Sequence, residues 1–358
     1  MRAAAWGIAI GGLLAGGCSL LVDTSGLTGG VKDGGAGPID PETGALLVEG
    51  GAKDGGLESG GPTLVLPPPT AWTRIADAPN ARHSARAVWD AKREVVVLYG
   101  GADKNGRKDD GYEWDGTTWE HRTYPSSPSR QGFGFAWDTK RSVAVLMGGQ
   151  YGPADVWELD GTSWTNKGTL GLPARMAGFS GVYDVARGRF VGFGGFGMDE
   201  GLDQTWSWDG ASLKNLAPAT SPPSVRGHAM AYDEARDRVI VFGGVATNGK
   251  VTNATWTFDG TTWTKATGPG PSLRSAGCMA YDAARQLVVL FGGKADNARE
   301  TLDDTWLWNG TSWTEGPKGP DARRSCTLVY DGKQKRVLLV GGTAGDQGDA
   351  YNDTWTLQ

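Results

Sequence analysis

The sequence predicts an all-β protein whose main part is a ring of six four-stranded blades, a β-propeller. Three observations lead to this expectation. Gly-Gly pairs recur with a near-constant period, glycine and tryptophan are unusually frequent (58 and 16 of 358 residues), and Asp-Gly or Asn-Gly turns separate short aromatic and β-branched runs. A period of this length with several strands in each unit is typical of propellers.

The first 18 residues have the pattern of an export signal, with Arg2 followed by an apolar run that is too short to span a membrane. The stretch "LLAGGC" resembles the lipobox of bacterial lipoproteins, which implies a lipid anchor on Cys18. Ala15 departs from that pattern, so cleavage by the ordinary secretory peptidase stays open. Because Ser19 follows the cysteine, we expect a protein anchored in the bacterial cell envelope at the outer membrane; a periplasmic or secreted soluble protein is the alternative.

Residues 19–70 are predicted to be a flexible linker. Residues 19–62 contain 13 glycines and no aromatic residue, so they cannot bury enough apolar surface to offset the entropy of ordering. The proline-rich stretch from Leu64 to Thr70 is stiffer and leads into the predicted propeller, residues 71–358.

Each repeat unit divides into four predicted antiparallel strands. The first ends in aromatic-Asp, the second in Gly-Gly, the third is Trp-x-aromatic, and the fourth carries a second tryptophan. An Asp-x-x-Arg turn usually joins the first two strands, and an Asp-Gly or Asn-Gly turn joins the last two. The Gly-Gly pairs start at Gly100, Gly148, Gly194, Gly243, Gly292 and Gly341, with spacings of 48, 46, 49, 49 and 49 residues.

The two ends of the repeat region complement each other. The sixth unit stops after its third strand, "DTWTLQ", and Ala71–Arg74 is a fourth strand with no unit before it. Pairing the two closes the ring with three C-terminal strands and one N-terminal strand, which removes the open sheet edges.

The Gly-Gly pairs, the aromatic-Asp motif and the two spaced aromatics resemble the kelch-repeat propellers, including the central domain of galactose oxidase. The resemblance covers residues 71–358 and implies a kelch-type fold. It does not imply one function, because kelch propellers include enzymes, glycan binders and protein scaffolds. All 15 tryptophans after the signal stand at repeat positions, so we expect them to pack between blades rather than to bind a ligand.

Strand directions alternate, so the longer connections share one face, the loop face, and the tight turns share the opposite turn face. Loops on a rigid scaffold are where binding usually resides. An arginine precedes each first strand, and two interpretations stay open: Arg–Asp bridges that hold the loops to neighbouring blades, or arginines that bind an anionic ligand at the central mouth. Arg226 with His228, and then Arg82 with His83, are the best local candidates. The full set of arginines is Arg82, Arg130, Arg175, Arg226, Arg274 and Arg323.

Signatures of catalysis or metal binding are weak. The three histidines do not cluster, and no Ser-His-Asp arrangement, zinc spacing or phosphate loop stands out. We therefore expect no cofactor and no metal, although calcium among the acids of residues 296–304 or 345–353 stays open. The net charge of −5 and the pI near 5.4 argue against a nucleic-acid partner.

Cys278 and Cys326 lie in the first strands of adjacent blades, three and four residues before the aromatic of the aromatic-Asp motif. This count places them on opposite strand faces, because side chains alternate. We therefore expect two small buried residues and no disulfide, although exported proteins can form one.

These observations favour a non-enzymatic binding module, a monomer that presents its loop face to an envelope protein or polysaccharide. The alternative is a periplasmic enzyme acting on a sugar or sugar acid in the central mouth, an activity that the resembled family includes. An arginine and a carboxylate that converge in the mouth with a perturbed pKa would favour the enzyme. A purely structural envelope scaffold is a third possibility.

Overall fold

The computed structural model describes residues 46–48, 63–77, 80–150, 152–198, 200–296, 300–345 and 350–358. In this part of the chain every element of regular structure is a β-strand, and no helix is long and apolar enough to cross a membrane. Six antiparallel sheets form the blades, five of four strands and one, blade 5, with a short fifth strand, which confirms the predicted six-bladed propeller. The predicted signal, Cys18 and most of the predicted linker lie outside the described residues.

The blades follow each other along the chain, and each consists of four strands numbered from first to fourth. Blade 1 is Arg86–Asp90, Val95–Tyr99, Gly111–Trp114 and Trp119–Arg122, and blade 2 is Gly134–Asp138, Val143–Met147, Val156–Leu159 and Trp164–Gly168. Blade 3 is Ser180–Asp184, Arg189–Phe193, Thr205–Trp208 and Leu213–Asn215, and blade 4 is Ala229–Asp233, Arg238–Phe242, Thr255–Phe258 and Trp263–Lys265. Blade 5 is Cys278–Asp282, Leu287–Ala295, Thr301–Trp308 and Trp313–Glu315, and blade 6 is Thr327–Asp331, Arg336–Val340, Asp353–Leu357 and Trp72–Asp77.

The core lies between the blades. The second strand of each blade is a continuous apolar run because both of its faces are covered, as for Val96 to Tyr99, which are all 1% exposed or less. Both glycines that follow such a strand have positive φ, 63° at Gly341 and 97° at Gly342. A Cβ on Gly341 would lie 2.5 Å from the carbonyl oxygen of Arg82, so the Gly-Gly pair permits this close contact between blades.

The turn face is built from capped tight turns. The buried Asp90 accepts hydrogen bonds from the backbone of Lys92 and Arg93, both at 3.0 Å, and Glu94 completes the turn with φ of 53°. The hairpin between the third and fourth strands uses Asp115 in the same way, as an acceptor for the backbone N–H groups of Thr117 and Thr118. These aspartates explain why aromatic-Asp and Asp-Gly recur.

The fourth-strand tryptophans pack between blades, as the repeat predicts. Trp119 of blade 1 donates to Thr354 of blade 6 at 3.0 Å, and Trp263 of blade 4 donates to Thr205 of blade 3 at 2.9 Å. The same bond joins Trp72 to Thr305 and Trp313 to Thr255. These tryptophans are therefore structural.

The ring closes as the two ends of the sequence predict. Trp72–Asp77 pairs antiparallel with Asp353–Leu357, from Trp72 opposite Leu357 to Asp77 opposite Asp353, with a β-bulge between Arg74 and Ala76. One sheet therefore contains both ends of the repeat region, and its free edge is removed.

Two short parts of the segment predicted to be a linker, residues 19–70, are described by the structure. Leu46–Val48 pairs with Thr63–Val65, and the chain then runs along blades 5 and 6. Leu66 N donates to Ala284 O at 2.9 Å, and Arg285 Nε donates to Pro67 O at 3.0 Å. Three consecutive prolines after Leu66 restrict the backbone, which lowers the entropy lost on docking.

Short additional strands lie on the loop face. Ala102–Asp103 pairs with Gly106–Arg107, and Val225–Arg226 pairs with Val245–Ala246. Arg274–Ser275 pairs with the end of the second strand of blade 5. The loop face is therefore partly structured by its own backbone hydrogen bonds.

Candidate functional site

Four of the six arginines predicted at the loop face are buried in ion pairs within their own blade. Arg323 has no exposed surface, and its two terminal nitrogens donate to the Asp353 carboxylate at 2.5 and 2.9 Å. Arg274 makes the same bidentate contact with Asp304 at 2.6 and 2.7 Å. The other pairs are Arg82 with Asp110 at 3.0 Å and Arg130 with Asp155 at 2.6 Å.

The backbone of each paired arginine links its blade to the preceding one. The Arg323 carbonyl accepts from Gly293 N at 2.9 Å, while the side chain also donates to Gly341 O at 3.1 Å. Burial raises the pKa of the Asp353 carboxyl, but the hydrogen bonds from Arg323 and Trp355 outweigh burial and hold that pKa below its usual range. These four arginines therefore form Arg–Asp bridges, as the first interpretation predicts. The bridge lies within one blade, however, and the backbone carbonyl of the arginine makes the contact with the neighbouring blade.

Blades 3 and 4 do not have the residues for this ion pair. Counted from the aspartate that ends the first strand, the paired arginines stand eight residues back, whereas Arg175 stands nine and Arg226 seven residues back. Met176 and Val225 occupy the buried position instead. The partner aspartate is replaced in the same two blades, by Gln204 and Ala254. The arginine and its acid are thus lost together, and counting residues within the repeat shows this loss.

The loop face over blades 3 and 4 therefore presents a different surface. Arg226 is exposed, and its guanidinium carbon lies 5.0 Å from the ring centroid of Phe196, a cation–π contact. Both residues line a cleft of about 130 Å³ together with Ser224 and Thr247. Met198, in the same loop as Phe196, is 69% exposed. We refer to Phe196, Met198, Ser224, Arg226 and Thr247 as the blade 3–4 surface.

The two histidine candidates are placed differently from each other. His83 is half-buried and its Nδ1 lies 3.1 Å from Ser84 Oγ; burial and then the charge of Arg324 lower its pKa. His228 is only 2% exposed and lines the central channel, whereas Arg226 faces solvent. The expected pair of Arg226 and His228 is therefore not formed, because the two side chains occupy different environments on either side of Gly227.

The central channel is lined by the first strands and holds a cavity of about 290 Å³. Aromatic side chains surround its turn end: Trp89, Trp137, Tyr183, Tyr232, Tyr281 and Tyr330. Several of their hydroxyls join adjacent blades, as where Ala186 N donates to Tyr232 Oη at 3.2 Å. At the loop end, Arg86 opens the first strand of blade 1 and reaches the channel. Arg86 was not among the site residues predicted from the sequence. The signal that could have identified it is that every other repeat has a small residue at the equivalent position.

Known proteins are similar in repeat and in fold. Residues 212–358 match the model of the KLHDC2/KLHL20/DRC7 Kelch-repeats domain. A solved structure, that of YjhT, superposes with a TM-score of 0.62 at 16% identity and covers 78% of this chain and 95% of its own. No curated protein matches the sequence.

This chain is a six-bladed β-propeller.

The fold is common, since 554 chains of solved structures match it, and so it does not select a function by itself. The function of this propeller has to be inferred from its loop face and its channel.

The expectation of free cysteines is wrong. Cys278 and Cys326 form a disulfide between blades 5 and 6, with Cα atoms 5.7 Å apart. Cys326 lies just before its strand and after Ser325, which has φ of 53°, so strand alternation does not extend to it. In adjacent blades, the first residue of one blade's first strand contacts the residue just before the first strand of the next blade. Thr327, which begins the first strand of blade 6, donates from its Oγ1 to the carbonyl oxygen of Ala85, just before blade 1, at 2.7 Å. The two cysteines occupy such a pair of positions.

In the described part of the propeller, no group of three or more His, Cys, Asp or Glu side chains is arranged to hold a metal ion. The two segments considered for calcium include residues 297–299 and 346–349, which lie outside the described residues. Calcium binding by those segments remains a hypothesis from the sequence.

Proposed function

We propose that this protein is a non-enzymatic binding module of the cell envelope, which presents the blade 3–4 surface of its loop face to a protein partner. The observation that carries the proposal is the joint loss of the Arg–Asp pair in two adjacent blades. In the other four blades the arginine is buried and neutralised, but here Arg226 is exposed beside Phe196.

The composition of this surface suits a protein partner with acidic and apolar groups. Arginine, methionine and aromatic residues are enriched at protein interfaces, and Arg226, Met198 and Phe196 supply one of each within two neighbouring loops. Lys250 is also exposed nearby in the blade 4 loop. An exposed guanidinium stacked on a ring is already oriented, so less side-chain entropy is lost when it pairs with a carboxylate.

Export is supported by two features that do not depend on each other. The first is the signal-like N-terminus with Cys18 as the expected lipid attachment site. The second is the disulfide Cys278–Cys326, because disulfides persist in oxidising compartments outside the cytoplasm. Labelling of the wild type with a radioactive fatty acid, and loss of the label in Cys18→Ala, would test the anchor.

The partner is tested by cross-linking the full-length protein in the envelope of its host. We expect a specific cross-linked protein that is lost in Arg226→Glu and reduced in Met198→Asp. Lys92→Glu is the matched control, because it makes the same charge reversal on the turn face, where Lys92 is exposed. Equal capture by Arg226→Glu and Lys92→Glu would contradict the proposal, and retention on purified cell-wall polysaccharide alone would replace the protein partner with a glycan.

The second candidate is an enzyme acting on a sugar or sugar acid in the channel. Arg86 and His228 in one cavity favour it. The carboxylate that would serve as acid or base is Glu234, whose pKa is raised by burial and by the charge of Asp233. Glu234 follows the last residue of its first strand, so it lies roughly 15 Å from Arg86 along the channel at about 3.3 Å per residue. Proton exchange at a sugar-acid carbon, followed by NMR in D₂O and abolished in Glu234→Gln, would support this candidate.

A further inference from the structure

Arg86 is an exception among the residues that open the first strands. The equivalent residues in blades 2 to 6 are Gly134, Ser180, Ala229, Cys278 and Thr327. Ser180, Ala229, Cys278 and Thr327 line the cavity with small side chains, whereas Arg86 lines it with a guanidinium. A position that is small in five repeats and cationic in one is not explained by packing of the ring.

Arg86 also differs in its partners from the four arginines that form ion pairs at the loop face. Its hydrogen bond goes to the carbonyl of its neighbour Ala85 at 3.2 Å, and among the described residues it forms no ion pair. Arg82, Arg130, Arg274 and Arg323 each have a carboxylate within 3.0 Å.

The charge of Arg86 is therefore not paired with a carboxylate at the loop end of the channel. Burial lowers the pKa of Arg86 to about 10, so the side chain is still charged at neutral pH. An incompletely solvated cation without a counter-ion is costly, and an anion bound beside it would offset that cost.

His228 lines the same cavity from blade 4, the blade opposite blade 1 in a ring of six, and its ring packs on Phe193 of blade 3 with 5.7 Å between ring centroids. It is only 2% exposed, and neither ring nitrogen has a hydrogen-bond partner of good geometry among the described residues. Burial and then the charge of Arg86 lower its pKa to about 4, opposed in part by the nearby Val225 carbonyl. At neutral pH His228 is therefore a neutral imidazole with one N–H available to a ligand.

We propose that the central channel binds a small organic monocarboxylate, whose carboxylate pairs with Arg86 and accepts a hydrogen bond from His228, and whose remaining atoms extend towards the aromatic turn end. One guanidinium balances one negative charge, whereas a phosphate dianion would leave a charge uncompensated in a confined site. The cavity of about 290 Å³ is at the lower end of the size range of ligand pockets. The site is separate from the blade 3–4 surface and does not depend on the proposed protein partner.

Calorimetric titration of the full-length protein tests this inference with acetate, benzoate, glucuronate and inorganic phosphate as probes. We expect saturable binding of at least one carboxylate with a Kd of about 1 mM or tighter, and weaker binding of phosphate. Arg86→Gln should weaken carboxylate binding by about tenfold to a hundredfold, because a charge-assisted hydrogen bond is lost. Lys92→Gln removes the same charge from blade 1 outside the channel and should bind as the wild type does.

A second measurement needs no variant at Arg86. The methyl ester of the bound acid has nearly the same shape without the charge, and we expect it to bind at least about tenfold more weakly. The chain has three histidines, so His228→Gln assigns the His228 NMR signal. The carboxylate should raise the pKa of His228, because a nearby negative charge stabilises the imidazolium.

The inference is overturned if none of the carboxylates binds, if the ester binds as well as the acid, or if phosphate binds more tightly than every carboxylate. Equal affinity in the wild type and Arg86→Gln, with an unchanged His228 signal, would place any binding elsewhere. Loss of the protein partner in Arg226→Glu leaves these outcomes unaffected, so the two proposals fail separately.

Discussion

Replacing Arg323 with methionine should strongly destabilise the propeller. Arg323 has no exposed surface and donates to Asp353 at 2.5 and 2.9 Å and to Gly341 O at 3.1 Å. The variant leaves the Asp353 carboxylate buried, with Trp355 Nε1 as its remaining donor at 2.8 Å. Breaking a buried pair by removing one partner costs about 3–5 kcal/mol. At about 2–4 °C per kcal/mol for a domain of this size, the melting temperature should fall by roughly 6–20 °C.

The chain supplies its own control for this experiment. Blade 3 has Met176 and Gln204 at the positions of Arg323 and Asp353, so the double variant Arg323→Met/Asp353→Gln copies a combination that the fold already contains. Replacing both members of a buried pair is often close to neutral, and we expect the double variant to recover most of the lost free energy of unfolding. Urea unfolding followed by tryptophan fluorescence measures both variants.

The pH dependence gives the same comparison a second readout. The pKa of Asp353 is lowered in the folded state, so the pair contributes stability above the unfolded pKa of about 3.9. That contribution is lost as pH falls through the folded pKa. The stability of the wild type relative to the double variant should therefore stay constant from neutral pH down to about pH 4 and fall as the pH drops further. Equal loss of stability in the single and double variants, or a difference between the wild type and the double variant that does not change below about pH 4, would refute the reasoning.

Three further outcomes are expected. Replacing Cys278 and Cys326 with alanine should lower the free energy of unfolding by about 2–4 kcal/mol. A reductant should destabilise the wild type but not this variant. If the reductant leaves the stability of the wild type unchanged, the disulfide does not stabilise the ring. Deleting residues 1–77 exposes the edge of Asp353–Leu357 and should cause aggregation, measured by light scattering, whereas a deletion that ends before residue 63 should remain monomeric. His228 has a pKa lowered to about 4, against 6.5 for a free histidine, so between these pH values the unfolded chain binds a proton that the folded chain does not. The free energy of unfolding should therefore fall by up to about 3 kcal/mol as the pH drops through this range. In urea titrations at several pH values, His228→Gln should not show this pH dependence.

The sequence determined the architecture because two structural requirements, the Gly-Gly pair and the aromatic-Asp motif, are each repeated in it six times. The Gly-Gly pair is needed where two blades approach each other, as the 2.5 Å distance at Gly341 shows. The aromatic-Asp motif is needed because a buried aspartate caps the turn, as Asp90 does. The ring closure was also predictable, because the strand missing at one end of the repeat is present at the other and pairs from Trp72 to Asp77.

The part of the linker that is ordered could not be predicted from its composition. Its glycine content indicates only that the segment cannot fold alone. Leu66 and Pro67 become ordered because the propeller offers them Ala284 and Arg285, and such partners are distant in the sequence.

The tertiary structure alone decided the partners of individual side chains. Two residues that meet across a blade interface are nearly a whole repeat apart, so local alternation cannot relate Cys278 to Cys326. The one-residue shift of the arginines in blades 3 and 4 can be counted in the sequence, but only the structure shows that Arg226 is exposed while four other arginines are paired. The isolation of Arg86 depends on five small residues from other blades, which only the closed ring brings to one level. The physical reason is common to all three: a strand fixes which way a side chain points, but only the ring fixes what that side chain meets.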